Sequence, residues 1–439
     1  MSAPERDAIP YRDNLFDAPG WKRFFLWYRR FFAIHEIEEH VILQIALGGL
    51  LLSLFVTFYG WVYSTAIAVS SYVNNAYSCW PYFQECGKFY FLEPLPLGYS
   101  QSVFYTGIFA TMLAVSYLFY RREWVLAHTL LVLLWVWKFI VLFVLTNELV
   151  ANYDYYDITL LFVILFLPHK FFFARVTFVW LYFLAGTIKI HEGWILGTYF
   201  TTLQTGFPLF GDAIAPLITG IVIFMQIVGC WFLLSARPIL QRSAFVYFFL
   251  FHLYSAILVG FRYPTVSLVM LIILFGLTKA PSPVPLNRRA IPGYVLLAGL
   301  LLFQLLPIAL IEGDQKMTLE GNQYGLYMFE ANHQCVSTMT VHLQDGTREE
   351  SHETSASARN RCDPYYYWFQ AHNVCLRNPA IEHIAWTFDH SINGNPFYRI
   401  VDVQNLCNLE YHPFLHNEWI KLPKDAPHIV GYPLKNYYR

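Results

Sequence analysis

Residues 180–197 read Trp180-Leu-Tyr182-Phe-Leu-Ala185-Gly186-Thr-Ile-Lys189-Ile-His191-Glu192-Gly-Trp194-Ile-Leu-Gly197. Nine residues without a charge lead into a lysine, a short polar run and an isolated tryptophan. That is the pattern of a helix leaving a hydrocarbon layer, with a cation and an indole ring at the water boundary. The small pair Ala185-Gly186 allows a neighbouring helix to approach closely. Read this way, the stretch predicts a membrane protein.

The rest of the chain agrees. Of 439 residues, 56% are hydrophobic and 13% are charged, against about a quarter charged in an average soluble domain. A net charge of -1 excludes a nucleic-acid partner held by bulk positive charge. A membrane span needs about 20 mostly apolar residues. Runs of that kind lie at Val41–Val69, Ser102–Tyr120, Trp124–Thr146, Ile158–Pro168, Phe171–Lys189, Ile214–Leu234, Ala244–Gly260, Val266–Leu277 and Pro292–Leu310. The expectation is an α-helical polytopic membrane protein of about nine transmembrane helices. The fourth and eighth runs are short enough for a re-entrant turn instead. With the N-terminus inside, the inner segments hold fifteen Lys and Arg residues from Arg6 to Arg289, and the outer ones hold Lys88, Lys189 and Arg262. Positive charge stays on the cytoplasmic side, so the topology is N-in, C-out.

The chain divides into three regions. Residues 1–40 are basic and aromatic, the composition of an amphipathic segment on the cytoplasmic membrane surface, and carry no signal-peptide pattern. Residues 41–311 form the helical membrane domain. Residues 312–439 form a β-rich α+β extracytoplasmic domain. There Ser337–Leu343 alternates like a strand and ends in the turn Gln344-Asp-Gly346, Phe397–Val401 is a second strand candidate, and Pro364–Arg377 is a helix candidate. Six of seven cysteines (Cys79, Cys86, Cys335, Cys362, Cys375 and Cys407) fall outside, and Cys230 lies in a span. This matches disulfides in an oxidising compartment. The competing reading, zinc, lacks a CxxC pair, and no metal is expected although nine of the fifteen histidines lie in this region.

Lys189 is the leading chemical candidate. An ammonium at an apolar boundary loses hydration, which favours the neutral amine and makes it available as a base; snorkelling is the plain alternative. Lys138 lies deeper, within Trp135-Val-Trp-Lys138-Phe, where a charge needs the bundle interior or a polar cavity. Asp154 or Asp157 is the candidate partner. These two acids share a helix face and read first as solvated loop residues and second as a proton relay. Arg262 suits a lipid headgroup or a substrate carboxylate, with simple interfacial anchoring as the alternative.

The Tyr182-Phe-Leu-Ala-Gly-Thr-Ile-Lys189 segment, with Trp194 and Gly197 beyond, resembles the vitamin K-dependent γ-glutamyl carboxylase family and the wider horizontally transferred transmembrane-domain group. Weaker patches occur in the family's order: Glu93–Leu97, Phe251-His252, Gly325-Leu-Tyr327, Phe388-Asp389, Arg399-Ile-Val-Asp402 and Tyr411–Trp419. The resemblance implies Lys189 as catalytic base and His252, Trp194 and Tyr182 beside a reduced vitamin K or another quinone. Lys189 would deprotonate the reduced ring, oxygen would turn that anion into a stronger base, and a substrate glutamate would be carboxylated. It also implies a Cys86–Cys375 disulfide, leaving Cys79, Cys335, Cys362 and Cys407 with three connectivities. Two positions depart from the family. Asn152-Tyr153-Asp154-Tyr155 stands where the family has an Asn-His pair, and Met328–Cys335 lacks the family's Arg.

Two functional readings result. One is a membrane enzyme that carboxylates or otherwise modifies a polypeptide substrate with a reduced quinone. The other is a non-catalytic lipid- or quinone-binding subunit of a larger membrane complex, with its partner on the extracytoplasmic side. Membrane lipids are partners in both. A short chain without glycosylation acceptors in its outer segments points to a bacterial inner membrane with a periplasmic C-terminal domain, the endoplasmic reticulum membrane being the alternative.

Overall fold

The computed structural model describes residues 20–422 apart from 74–77, 87–96, 146–151, 202–205, 279–282, 314, 322–323, 327–331 and 357–361. Residues 1–19, Lys88, the Glu93-Pro-Leu-Pro patch, Tyr327 and the first half of the Met328–Cys335 stretch lie outside the described residues.

Each apolar run falls on a helix. These helices are Val41–Val73, Leu97–Arg121, Trp124–Ile140, Asn152–Phe166, Lys170–Thr187, Ala215–Ile227, Pro238–Val259, Arg262–Leu271 and Ile291–Leu310. Proline in the first turn starts those at 215, 238 and 291, where the missing N–H costs nothing. Among the described residues, three stretches are long and apolar enough to cross a membrane: Val41–Gly60, Trp124–Val144 and Arg288–Leu310. Asp212–Ile227 and Arg262–Gly276 are shorter apolar helices. The 214–234 run tightens into a narrow turn at Gly229–Leu234, and the 266–277 run widens at Ile272–Gly276. The Asn152–Phe166 and Lys170–Thr187 helices are buried around most of their circumference and form the centre. Ile291–Leu310 buries only a stripe, with Gly293, Leu297, Gln304 and Pro307 inward.

Gly186 explains one close approach. A Cβ there would meet Ile227 at 2.8 Å and Gln226 at 3.0 Å, so the small pair lets the Ala215–Ile227 helix pack tightly. Residues 20–39 fold against the end of the bundle where Trp124–Ile140 begins. Tyr28 donates its hydroxyl to His128 Nδ1 (2.9 Å), and His128 Nε2 donates to the Leu165 carbonyl (2.9 Å). The Glu36 carboxylate accepts from the backbone N–H groups of His169 (2.9 Å) and Lys170 (2.7 Å), capping the positive end of the Lys170–Thr187 helix. Phe24, Trp27 and Phe31 of the same helix stay exposed.

At the other end lies an antiparallel sheet of β1 (His333–Leu343), β2 (Arg348–Ala356), β3 (Ile381–Ile392) and β4 (Tyr398–Val403), in the order β2-β1-β3-β4. Gly346, at φ +85°, closes the β1–β2 hairpin in a conformation that favours glycine. The Pro364–Arg377 helix starts at Asp363, whose carboxylate accepts from Tyr365 N–H (3.0 Å). It packs on the sheet through Tyr367 and Phe388, ring centroids 5.0 Å apart. Trp386, Phe388, Ile392, Ile400 and Val401 are fully buried beneath.

One meeting point of sheet and bundle is a widened helical turn. Beyond Ile140 the hydrogen bonding changes to an i to i+5 pattern over Val141–Leu145, which frees carbonyl groups. Trp80 Nε1 donates to Leu142 O (3.1 Å) and the Tyr82 hydroxyl to Phe143 O (3.0 Å). The same loop accepts the Tyr365 hydroxyl at Cys79 O (2.8 Å) and reaches Tyr411 O through Gln84 Nε2 (2.9 Å).

The disulfides correct one expectation. Cys86 and Cys375 are not joined to each other. The bridges are Cys79–Cys86, Cys335–Cys362 and Cys375–Cys407, and Cys230 is free and buried. The tight turn at Pro81–Phe83 returns the chain so that Cys79 and Cys86 sit 5.5 Å apart at Cα. Cys375, at the end of its helix, faces the Leu406–Asn408 turn at 5.7 Å. Covalent links are therefore local, and hydrogen bonds and packing hold the 78–86 loop to the sheet.

Candidate functional site

Lys189 follows the last turn of the Lys170–Thr187 helix and is 8% exposed. Its Nζ donates to the Ala185 carbonyl (2.5 Å) and lies 5.1 Å from the centre of the Trp194 ring. Trp194 stacks on Tyr199 (5.8 Å) and meets Phe200 edge-on (4.9 Å). The amine thus lies against a flat aromatic wall.

The C-terminal residues close this end of the bundle. A Cβ on Gly193 would come within 2.9 Å of Asn393 Nδ2 and 3.0 Å of His191 Cε1, so glycine admits the C-terminal segment here. Asn332 donates through Nδ2 to Tyr199 O (2.7 Å), and its N–H donates to Asn393 Oδ1 (2.8 Å). Gln304, fully buried, donates through Nε2 to Leu184 O (2.8 Å) and Thr187 Oγ1 (2.7 Å) and accepts from Leu326 N–H at Oε1 (3.1 Å). It ties the Lys189 helix to the outer segment.

Behind Asn332 lies a histidine chain. His390 Nδ1 is 2.6 Å from the Met317 carbonyl, which can only accept, so this nitrogen carries the proton. His390 Nε2 then accepts from His333 Nδ1 at 3.0 Å. Burial lowers His390 to about 4. Burial, reinforced by His390, Lys316 and His191, holds His333 well below the usual imidazole range. His191 is lowered to about 3 by burial and then by Lys316 and Lys189. Lys189, His191, Lys316, His333 and His390 therefore form one electrostatically coupled group at the seam.

Acid should loosen this seam. Both sheet histidines are neutral in the fold, whereas in the unfolded chain they titrate near 6.5. Below that value the unfolded state binds more protons, so their stabilising contribution is present above about pH 6.5 and is lost as pH falls toward 4. Acid titration followed by near-ultraviolet circular dichroism is expected to show loss of the sheet's aromatic packing in that window. His390→Gln should move the midpoint to lower pH, and an unmoved midpoint would remove the histidine chain as the cause.

The other sequence candidates form separate groups. His252 is fully buried between Tyr182 and Ser267. Ser267 donates to Tyr263 O (2.9 Å), so His252 Nδ1 donates to Ser267 (3.1 Å) and Nε2 accepts from the Tyr182 hydroxyl. Phe248 stacks on Tyr182 at 4.3 Å. Both ring nitrogens are engaged, which leaves no donor for a quinone carbonyl. Seven helix positions separate Tyr182 from Lys189, about 10 Å along the axis. Lys138 is paired with Asp154 and Asp157. Arg262 is exposed and hydrogen bonds Tyr153. Among the described residues no group of three or more His, Cys, Asp or Glu side chains is placed to hold a metal ion.

No family model, curated protein or solved structure matches this chain. The site must be read from its own chemistry. Sequence reading missed the His333–His390 pair, although both lie near the facing ends of β1 and β3. It also missed Glu320, which is buried and accepts from His416 Nδ1 (2.7 Å) and from Asn417 N–H (2.7 Å) and Nδ2 (2.9 Å). An inward histidine on a polar-looking strand was the available signal.

Proposed function

We propose that this chain is an integral membrane enzyme, N-terminus inside and sheet outside, whose base is the Lys189 amine. The observation that carries the reading is the shielded amine, 8% exposed and held against Trp194 where bundle and sheet meet. Its polar contacts come from Ala185 O and the adjoining seam, an arrangement that orients the nitrogen and limits competing water. The substrate class is that of the γ-glutamyl carboxylase family: a polypeptide carboxylated or otherwise modified with a reduced quinone. A bound reduced quinone would supply basicity beyond that of any side chain. Trp194, Tyr199 and Phe200, packed on one another beside the amine, give the site an apolar aromatic lining that such a ring would need, whereas both nitrogens of His252 are already engaged. Lys189 accepts a proton, Trp194 positions its partner, and Asn332 and Asn393 hold the outer segment shut. An inner bacterial membrane, sheet toward the periplasm, is the setting we favour over the endoplasmic reticulum.

A second reading draws on the Asn152-Tyr153-Asp154-Tyr155 segment. Where the family places a histidine, this chain builds a buried ion group, which favours a non-catalytic subunit. Detergent-solubilised protein supplied with reduced vitamin K, labelled bicarbonate and a Glu-rich peptide decides between them. Label incorporation with epoxide formation, reduced about 10²–10⁴-fold by Lys189→Ala, is the expected result. No incorporation and no epoxide, with a stoichiometric partner after gentle purification, would replace the enzyme by the subunit.

A further inference from the structure

Lys138 reaches two acids across the bundle. Its Nζ is 2.8 Å from Asp154 Oδ1 and 2.9 Å from Asp157 Oδ2, with side-chain exposures of 1%, 7% and 0% for the three residues. Asp154 Oδ1 and Asp157 Oδ1, both buried, accept no hydrogen bond among the described residues, while Asp157 Oδ2 accepts from Lys138 Nζ. The adjoining charged and titratable groups are Tyr153, next to Asp154 and hydrogen bonded to Arg262, and Tyr155, buried against Phe143. Among the described residues Arg262 makes no ion pair with either acid.

The charges do not balance locally. Among the described residues, two carboxylates against one ammonium leave one negative charge in a site nearly shut off from solvent, and Asp157, at 0% against 7% for Asp154, is the acid with less access to water. An uncompensated buried charge costs several kcal/mol, and a carboxylate oxygen that accepts no hydrogen bond has lost its hydration for nothing. One proton on Asp157 removes that charge, leaving Lys138 and Asp154 as a matched pair. Ionisable groups at membrane depth commonly serve proton movement, and Tyr153, beside Asp154, lies next to the exposed Arg262.

The geometry points to Asp157 as a proton-binding site of the bundle: it carries a proton at neutral pH, and on ionisation the carboxyl group releases that proton to water on the sheet side past Tyr153, leaving Lys138 in contact with two carboxylates. The O–H bond of the carboxyl group breaks, its electron pair stays on oxygen, and Lys138 becomes the counter-charge. This assignment does not rest on the Lys189 reading.

Infrared spectroscopy of the full chain in lipid nanodiscs, with carbon-13-labelled aspartate, tests it. Expected is a protonated-carboxyl stretch at neutral pH that shifts with the label, disappears on alkaline titration and is absent in Asp157→Asn. Lys138→Met, which leaves both acids without a counter-ion, should roughly double its amplitude. A wild-type protein with no labelled protonated-carboxyl band at neutral pH overturns the proposal even if the variants fail to fold. A band that persists in folded Asp157→Asn overturns it as well.

Discussion

Lys138→Met is expected to destabilise the protein by about 3–5 kcal/mol at neutral pH, the usual result of removing one partner from a buried ion group. The methionine fills similar volume, so the loss is electrostatic rather than a cavity effect. Asp154 and Asp157, three residues apart on one helix, are left with no cation within contact distance among the described residues. Acidification should restore stability, because protonated acids need no counter-charge. The triple variant Lys138→Met, Asp154→Asn, Asp157→Asn should recover most of the loss, since replacing an entire buried ion group is often neutral. Thermal unfolding in detergent, followed by tryptophan fluorescence, measures all three. A single variant as stable as wild type across pH would show that the group contributes nothing net.

Trp386→Ala is expected to cost the sheet region about 3–5 kcal/mol. Trp386 is fully buried at the centre of β3, donates through Nε1 to Ser337 Oγ (3.1 Å) and packs against Phe388 and Trp419, ring centroids 5.9 and 5.7 Å away. Truncation leaves a cavity the size of an indole beneath a sheet cross-linked at Cys335–Cys362 and Cys375–Cys407, which cannot collapse freely. The Ser337 hydroxyl also loses its donor. Near-ultraviolet circular dichroism with chemical denaturation reads the loss, and a shift below about 1 kcal/mol would mean the region repacks as a surface site does.

Much of the architecture was legible because it depends on local composition. Pro364–Arg377 carries its own start in Asp363 and Pro364 and its own amphipathic face, and the helix has those bounds. Ser337–Leu343 alternates, and β1 contains it. Asp154 and Asp157 could be named as partners of Lys138 because a charge in an apolar helix demands one and few acids lie near in sequence. Other features depend on contacts that no local pattern encodes. Cysteine spacing allows several pairings, and the turn at Pro81–Phe83 selects Cys79 for Cys86. Glu320 and Asn417 meet across ninety-seven positions. His252 seemed open to a ligand until Tyr182 and Ser267 occupied both of its nitrogens. Lys189 lies at the end of its helix, but Asn332 and Asn393, which close that end of the bundle, come from far along the chain.

The turn at Val141–Leu145 contains one residue more than ordinary winding requires. Deleting Val144 or Leu145 would draw the Leu142 and Phe143 carbonyls back into the helix's own ladder and rotate the downstream chain by about 100°. Trp80 and Tyr82 would lose their anchor points in a single event. The latch between cap and bundle is thus keyed by an insertion in the backbone, and it can be undone by a change of phase that alters no side chain at the seam.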